Sequence, residues 1–198
     1  MTEQLLVFAK APVPGQVKTR LIPLLGAQGA CLCYQQLLRH CLQRFSPSYP
    51  IQLWCAPDEH HPFFQKCHTE FGLRLYRQQG SELGVRMAYA LAQAPGPALL
   101  MGSDCPSLQL SDIQQGFSAL KAGYEVVLAP TEDGGYALIG MQRLIAELFS
   151  DMPWSTPEVL ELTRAHLLRL GIRWWELPLQ WDVDRPEDVH RWQQLEAC

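Results

Sequence analysis

Three basic residues lie close together near the start of the chain: Lys10, Lys18 and Arg20. The apolar run at positions 5–9 precedes them and reads as a buried strand, so they occupy a loop at that strand's carboxyl end. Pro14 stiffens the loop, and Gly15 permits a bend or the close approach of a ligand. Together the three cations can neutralise a di- or triphosphate, and we predict that they bind phosphate, with Lys18 also stabilising charge during catalysis. A Walker A loop is excluded because Gly15 and Lys18 are not adjacent, and a solvated basic loop is the alternative.

Three aspartates follow other predicted strands: Asp104, Asp182 and Asp184. Asp104 comes just after a buried strand, while Asp182 and Asp184 alternate, so they share a face if the segment is extended. Carboxylates suit hard divalent ions that bridge to substrate phosphates. We therefore predict that the three aspartates bind Mg²⁺ or Mn²⁺ and that Asp104 is catalytic. The alternatives are a turn role for Asp104 and an N-cap role for Asp184.

A third group of candidates follows the fifth predicted strand: Asp133, Gly134, Gly135 and Tyr136. They lie at the same end of the sheet as the aspartates above, so we predict that they contact the substrate and that Asp133 is a candidate general base. An Asp-Gly-Gly sequence is also a strong turn signal in its own right. A purely structural role is therefore the open alternative for both glycines.

Two further segments could contact a nucleotide or its acceptor. Gly80, Gly84 and Arg86 flank the start of a predicted helix, where backbone N–H groups can approach a base, ribose or phosphate, and we assign them to nucleotide binding. Trp154 and Ser155 are predicted to line a substrate pocket. Their alternative is structural, with Trp154 as a hydrophobic staple and Ser155 as the first residue of a capping box.

These candidates need a scaffold that brings strand ends together. Apolar runs predict strands at 5–9, 51–55, 73–76, 98–101, 125–129, 136–140 and 172–177. Helical spacing and capping signals predict helices at 27–45, 61–71, 82–94, from 111 onward, 155–170 and 185–195. Strand and helix alternate, so the expected fold class is a three-layer α/β/α arrangement around a mostly parallel sheet. In such sheets, sites form at the carboxyl ends of the strands.

Composition narrows the function further. The chain has 198 residues with 47% hydrophobic and 18% charged residues, which is typical of one globular domain spanning 1–198. A net charge of -4 argues against a nucleic-acid partner, so phosphate binding must be local. Seven irregularly spaced cysteines and the lack of a signal peptide or uninterrupted membrane-length apolar run predict a cytoplasmic protein with reduced thiols.

With these segments in place, the chain resembles a bacterial GT-A-like family of nucleotide-diphospho-sugar transferases. That family was long labelled a domain of unknown function, is often described as glycosyltransferases, and has some members linked to arsenosugar biosynthesis. The matching segments run in the same order over nearly the whole chain: FAKAPVPGQVKTRL, GSELGVRM, LLMGSDCPSL, APTEDGGYALIG, MPWSTPEVL and WDVDRPEDV. The wider superfamily includes molybdenum-cofactor nucleotidylyltransferases and phospholactate guanylyltransferases. Two patterns found among such enzymes are absent, namely the LAGG-type nucleotidylyltransferase loop and a mid-chain DxD.

The resemblance implies a GT-A or Rossmann-like fold, a nucleotide-linked donor, and Mg²⁺ or Mn²⁺ held by Asp104 with Asp182 or Asp184. It also implies that Lys10, Lys18 and Arg20 hold phosphates. The first hypothesis is thus a glycosyltransferase that uses a nucleotide sugar and a small acceptor. The alternatives are a nucleotidyltransferase, which takes an NTP and releases pyrophosphate, and a non-catalytic nucleotide-binding module. The base, sugar, acceptor and oligomeric state stay open.

Overall fold

A seven-stranded sheet forms the centre of the protein in the computed structural model, which describes residues 3–196. The strands are β1 (Gln4–Lys10), β2 (Ile51–Ala56), β3 (Arg74–Arg77), β4 (Ala98–Met101), β5 (Val126–Pro130), β6 (Tyr136–Met141) and β7 (Trp174–Glu176). Their spatial order is β3-β2-β1-β4-β6-β5-β7. Only β6 runs antiparallel to its neighbours, β4 and β5, and the other pairings among the described strands are parallel. The expected mostly parallel sheet is confirmed.

Helices cover both faces of this sheet. They are α1 (Ile22–Phe45), α2 (Pro62–Phe71), α3 (Leu83–Ala92), α4 (Leu110–Lys121), α5 (Val159–Leu170) and α6 (Pro186–Glu196). Helices α1, α2 and α4 contribute buried side chains to one core cluster, and α3 and α5 contribute to a second on the opposite face. Helix α6 packs on α1 in a smaller cluster that includes Leu37 and Trp192. The expected three-layer architecture is therefore confirmed.

The apolar run of β1 is continuous because this strand lies between two layers of helices. Leu5, Val7 and Ala9 of β1 join the first core cluster, whereas Leu6 and Phe8 join the second. A strand covered by helices on both faces needs an apolar side chain at every position, because successive side chains point to opposite faces. The continuous apolar run thus places the end of β1, and the loop after it, in the middle of the sheet.

Three helix starts differ from the sequence prediction. Helix α1 begins at Ile22 rather than at residue 27, with non-helical backbone at Gly26 (φ 69°, ψ 166°). The capping box of α4 is formed by Gln109 and Asp112, so it begins two residues before Ser111, the predicted capping residue. Helix α5 begins at Val159 rather than at Ser155, whose backbone is left-handed (φ 68°). The residues that precede α4 and α5 are therefore Gln109 and Glu158, and neither predicted serine caps its helix.

One stretch, Thr19–Phe45, is long and apolar enough to cross a membrane when judged by length and composition alone. In this structure the helix in that stretch packs on the sheet through buried residues such as Leu38, Leu42 and Phe45. Core helices commonly satisfy the same length and composition criteria, so the stretch is weak evidence for a membrane span.

Candidate active site

The structure brings the basic loop and the carboxylates together at the carboxyl ends of β1 and β4. The ammonium of Lys18 donates a hydrogen bond to Asp104 Oδ2 at 2.6 Å and lies 3.9 Å from Asp184 Oδ1. The Lys18 side chain is only 5% exposed. Arg20, an exposed residue, pairs with the other oxygen of Asp184. Two predicted phosphate-binding cations and two predicted metal ligands therefore form one charged cluster.

Backbone geometry aims Lys18 into this cluster. Its φ of 46° and ψ of 46° place it in the left-handed region, where a residue with a side chain is strained. It lies immediately before the short helical turn Thr19–Leu21, and the Leu21 N–H donates to its carbonyl at 2.9 Å. The turn and the burial of Leu21 hold a conformation that an isolated loop would rarely adopt.

Hydrogen bonds tie the segment that carries Asp182 and Asp184 to the loop after β4. The N–H of Val183 donates to the Asp104 carbonyl at 3.0 Å. The Ser107 hydroxyl accepts from the Trp181 N–H and donates to the Trp181 carbonyl, each at 3.0 Å. These bonds join residues more than seventy positions apart. They fix the two chain segments side by side, and this brings Asp182 and Asp184 close to Asp104.

The electrostatics of the cluster are unbalanced. Burial would lower the pKa of Lys18, but attraction by Asp104, Asp184 and Asp182 outweighs burial and raises the pKa, so the ammonium stays charged. Burial, followed by repulsion from Asp104, raises the pKa of Asp182 to about 6, although Lys18 opposes this and Asp133 adds to it. Lys18 and Arg20 together do not neutralise Asp104, Asp182 and Asp184 once Asp182 is ionised, so the site then has net negative charge to offer a further cation.

The carboxylates suit a metal that the substrate helps to bind. Among residues 3–196, no three His, Cys, Asp or Glu side chains are close enough to form a ready-made cage. Mg²⁺ is usually held by one or two carboxylates together with substrate phosphates rather than by an all-protein cage. Asp104 and Asp184, which both approach the same ammonium, fit that requirement, and Asp182 interacts electrostatically with Asp104. The donor set thus fits Mg²⁺ or Mn²⁺.

The remaining loop residues lie on the solvent side of this cluster. Lys10 is exposed at the end of β1, and its N–H donates to the buried Tyr34 hydroxyl at 2.8 Å. That hydroxyl is also hydrogen-bonded to Ser103 at 3.3 Å, which ties the ends of β1 and β4 together through α1. Pro14 and Gly15 are exposed at the loop tip, where Gly15 has a φ of 83° and open space around it. Gly15 is thus needed for its backbone conformation rather than for close packing.

The loop after β5 is shaped by its own contacts. Asp133 Oδ1 accepts hydrogen bonds from the Thr131 hydroxyl at 2.6 Å and from the Gly135 N–H at 3.1 Å, while the residue remains exposed. Gly134 has a φ of 87°, and a Cβ there would lie 2.2 Å from the Pro157 carbonyl oxygen. Gly134 therefore has a structural reason to be glycine, which favours the structural alternative at that position. Both of these hydrogen bonds are made to Oδ1 of Asp133, not to its second carboxylate oxygen. The Asp133 charge also acts on Asp182 and contributes to its raised pKa.

Tyr136 does not present its hydroxyl to the strand ends. The phenol is buried beside Thr163 of α5, and burial raises its pKa far above its usual value. The ring packs against the second core cluster. This position favours packing, so the predicted substrate contact by Tyr136 gains no support from the geometry.

A polar cavity of about 470 Å³ opens at the ends of β2 and β3, at the same edge of the sheet as the cluster. Its lining includes two of the predicted nucleotide-binding residues, Gly80 and Arg86, whose Nε donates to the Gly80 carbonyl at 2.9 Å. The third, Gly84, is instead covered by Trp154, because a Cβ on Gly84 would lie 2.7 Å from that indole. Trp154 is also stacked with Phe149, and Ser155 is exposed beside it. Trp154 therefore packs against the start of α3 and does not line this cavity.

Several residues in the site were not identified from the sequence. Arg77, Gln78 and Gln79 line the cavity, and the Gln78 amide donates to the carbonyls of Ala9 and Trp54. This side chain ties the end of β3 to β1 and β2. The position of these residues directly after the third predicted strand was an available signal. Ser107, which holds the Trp181 segment, had no local signal because its partner lies 74 positions away.

Comparisons with known proteins find a matching family and solved structures of similar fold. A family model described as "Uncharacterized protein conserved in bacteria (DUF2064)" matches residues 37–156. Among solved structures, a candidate nucleotide-diphospho-sugar transferase from Desulfovibrio desulfuricans G20 is 28% identical, with a TM-score of 0.85 over 93% of this chain and 84% of that one. A search of curated proteins finds no match.

Two more distant structures share the fold alone. CMP:2-keto-3-deoxy-manno-octonic acid synthetase, solved with CTP, has a TM-score of 0.65 at 13% identity, over 100% of this chain and 99% of that one. Glucosyl-3-phosphoglycerate synthase from Mycobacterium tuberculosis, solved with Mn²⁺, UDP and glucosyl-3-phosphoglycerate, has a TM-score of 0.59 at 12% identity. That match covers 96% of this chain and 75% of the synthase. The resemblance to GT-A-like transferases is thereby confirmed at the level of family and fold.

Proposed function

This chain belongs to the family DUF2064, and we propose that it is a metal-dependent transferase that acts on a nucleotide sugar and a small acceptor. The observation that carries the proposal is the meeting of Lys18 with Asp104 and Asp184 at the ends of β1 and β4. A basic loop beside acidic metal ligands is what a donor diphosphate and its divalent ion require. The 28% identical Desulfovibrio protein, described as a candidate nucleotide-diphospho-sugar transferase, supports the choice of donor.

In this proposal the two parts of the site have different tasks. Lys10, Lys18 and Arg20 bind the diphosphate and stabilise the charge that develops when it leaves. Asp104 and Asp184, with Asp182 beside them, hold Mg²⁺ or Mn²⁺, which when bound supplies a Lewis acid to the same phosphates. The nucleoside occupies the cavity lined by Gly80 and Arg86. Strands lie about 5 Å apart, so the β2–β3 ends are about 10 Å from the β1–β4 ends, a distance that a nucleoside diphosphate spans.

Asp133 is the candidate for accepting the acceptor's proton. One oxygen is engaged by Thr131 and Gly135, which fixes the carboxylate, and the other is open to a substrate hydroxyl. Asp133→Asn keeps the hydrogen-bond acceptor that shapes the turn and removes the basic carboxylate. We expect it to lower kcat by about a hundredfold or more, the scale of lost general-base catalysis, with little change in nucleotide affinity.

The proposal is tested by a substrate screen. UDP-, GDP-, CDP- and ADP-sugars are compared with the free NTPs, each with Mg²⁺ or Mn²⁺, for thermal stabilisation and for release of nucleotide or pyrophosphate. Metal-dependent cleavage of a nucleotide sugar is the expected result, and Asp104→Asn should abolish both this cleavage and the effect of the metal on nucleotide binding. Asp151→Asn, a change at an exposed turn, is the matched control.

Other outcomes select the alternatives. Pyrophosphate release from an NTP, with no nucleotide sugar cleaved, would identify a nucleotidyltransferase. Stabilisation by nucleotides without turnover and without metal dependence would identify a binding module. Metal-dependent nucleotide binding that persists in Asp104→Asn would contradict the metal assignment for either enzyme.

A further inference from the structure

Lys18 occupies the place between the carboxylates that a metal ion would need. Its ammonium lies 2.6 Å from Asp104 Oδ2 and 3.9 Å from Asp184 Oδ1, while Arg20 pairs with the remaining oxygen of Asp184. The Lys18 side chain is 5% exposed. The other three lysines of the chain, Lys10, Lys66 and Lys121, are exposed. Lys18 is thus directed inward, to the carboxylates.

An ammonium that is hydrogen-bonded to Asp104 Oδ2 and lies near Asp184 Oδ1 repels a divalent ion that approaches the same oxygens, so the two cations compete for these carboxylates. We propose that Lys18 is an internal counterion, which holds Asp104 and Asp184 in the free protein and leaves them when a divalent ion binds. The inference rests on the proposed function and adds to it that the Lys18 side chain exchanges one anionic partner for another. Lys18 pairs with carboxylates in the free protein and with donor phosphates in the loaded one.

This exchange makes metal and nucleotide binding depend on each other. A Lys18 ammonium that leaves the carboxylates needs another anion nearby, since its side chain is otherwise buried without a charge partner. The donor diphosphate supplies that anion. The free protein should therefore bind Mn²⁺ weakly and bind it more tightly with nucleotide present, and reciprocally the metal should raise nucleotide affinity by the same factor.

The first test measures Mn²⁺ binding to the protein without nucleotide, by calorimetry or by the paramagnetic signal of free Mn²⁺. Lys18→Met removes the competing cation and keeps a side chain of similar length. We expect it to bind Mn²⁺ about tenfold more tightly or better, because the wild type must first break a charge-assisted hydrogen bond. Lys66→Met removes the same charge at an exposed position on α2, to which no role in the site is assigned. This control should leave Mn²⁺ affinity unchanged within about twofold.

The second test uses the wild-type protein, so it does not depend on whether Lys18→Met folds. A sparing amine-reactive label is followed at each lysine by peptide mass spectrometry, with the exposed Lys10, Lys66 and Lys121 as internal references. Lys18 should react at least about tenfold more slowly than these lysines in the free protein, as expected for a buried, paired amine. Saturating Mn²⁺ without nucleotide should accelerate its labelling, and subsequent addition of nucleoside diphosphate should protect it again.

The outcomes separate this inference from the proposed function. Equal Mn²⁺ affinity of Lys18→Met and Lys66→Met, no detectable Mn²⁺ binding to either, or unchanged Lys18 labelling at saturating Mn²⁺ would each overturn the exchange. Tighter Mn²⁺ binding by Lys18→Met in a protein that binds none of the screened nucleotides would support the exchange and contradict the proposed donor. Nucleotide-sugar cleavage with no change at Lys18 would do the reverse.

Discussion

Replacing Asp182 by asparagine should change how the protein's stability depends on pH. Burial and the neighbouring Asp104 raise the pKa of Asp182 from 3.8 to about 6 in the folded protein. Between these values the folded state holds a proton that the unfolded state releases, so the stability contributed by Asp182 falls as pH rises through about 6. Below pH 4 both states are protonated, and above pH 6 the loss is complete. Asp182→Asn has no such proton and should gain stability relative to wild type over this range.

The size of the effect follows from the shift. A change of about two pKa units corresponds to about 3 kcal/mol as an upper bound. Asp182 is partly exposed, and solvent screening reduces the expected difference to about 1–2 kcal/mol. The difference in unfolding free energy between Asp182→Asn and wild type should therefore be smallest near pH 4 and reach this value by pH 7.

The assay is urea unfolding of both proteins at several pH values with a chelator present, so that no metal binds. Asp151→Asn, at an exposed turn residue, provides the matched control for an aspartate outside the cluster. A stability difference between Asp182→Asn and wild type that stays constant from pH 4 to pH 7 would refute the reasoning. It would mean that burial and repulsion by Asp104 do not raise the pKa of Asp182 in the free protein.

Three packing predictions concern the loops that frame the site. Gly134→Ala should cost about 2–4 kcal/mol in urea unfolding, because φ is 87° and the new Cβ would meet the Pro157 carbonyl; a cost below 1 kcal/mol would contradict this close packing. Gly84→Ala should cost about 1–3 kcal/mol by displacing Trp154, and the added cost should vanish in a Trp154→Ala background. Ser107→Ala should cost about 1–2 kcal/mol by removing both hydrogen bonds to the Trp181 backbone, and it should weaken metal-dependent nucleotide binding. Full binding by a folded Ser107→Ala protein would show that this tie does not position Asp182 and Asp184.

Much of the fold could be predicted from the sequence because its cause is local. The strand β1 is covered on both faces, so its apolar run is continuous. This run predicts a buried strand without any information about the neighbouring strands. The alternation of strands and helices predicted a sheet between two layers of helices. The carboxyl ends of the strands indicated which polar residues are candidates for the functional site. The predicted starts of α4 and α5 were wrong because Ser111 and Ser155 have the right residue types for capping but not the right backbone.

The sequence by itself determined that a basic loop follows the first strand and that aspartates follow two later ones. Tertiary structure alone decided that Lys18 forms a hydrogen bond with Asp104, 86 positions away, and that Asp182 lies close enough to Asp104 to be repelled by it. It also decided that Gly84 leaves room for the Trp154 indole. The physical reason is that such contacts depend on strand order and on hydrogen bonds between distant loops. Residue spacing along the chain does not encode either. The site's charge balance, and hence its chemistry, emerges only when those loops are brought together.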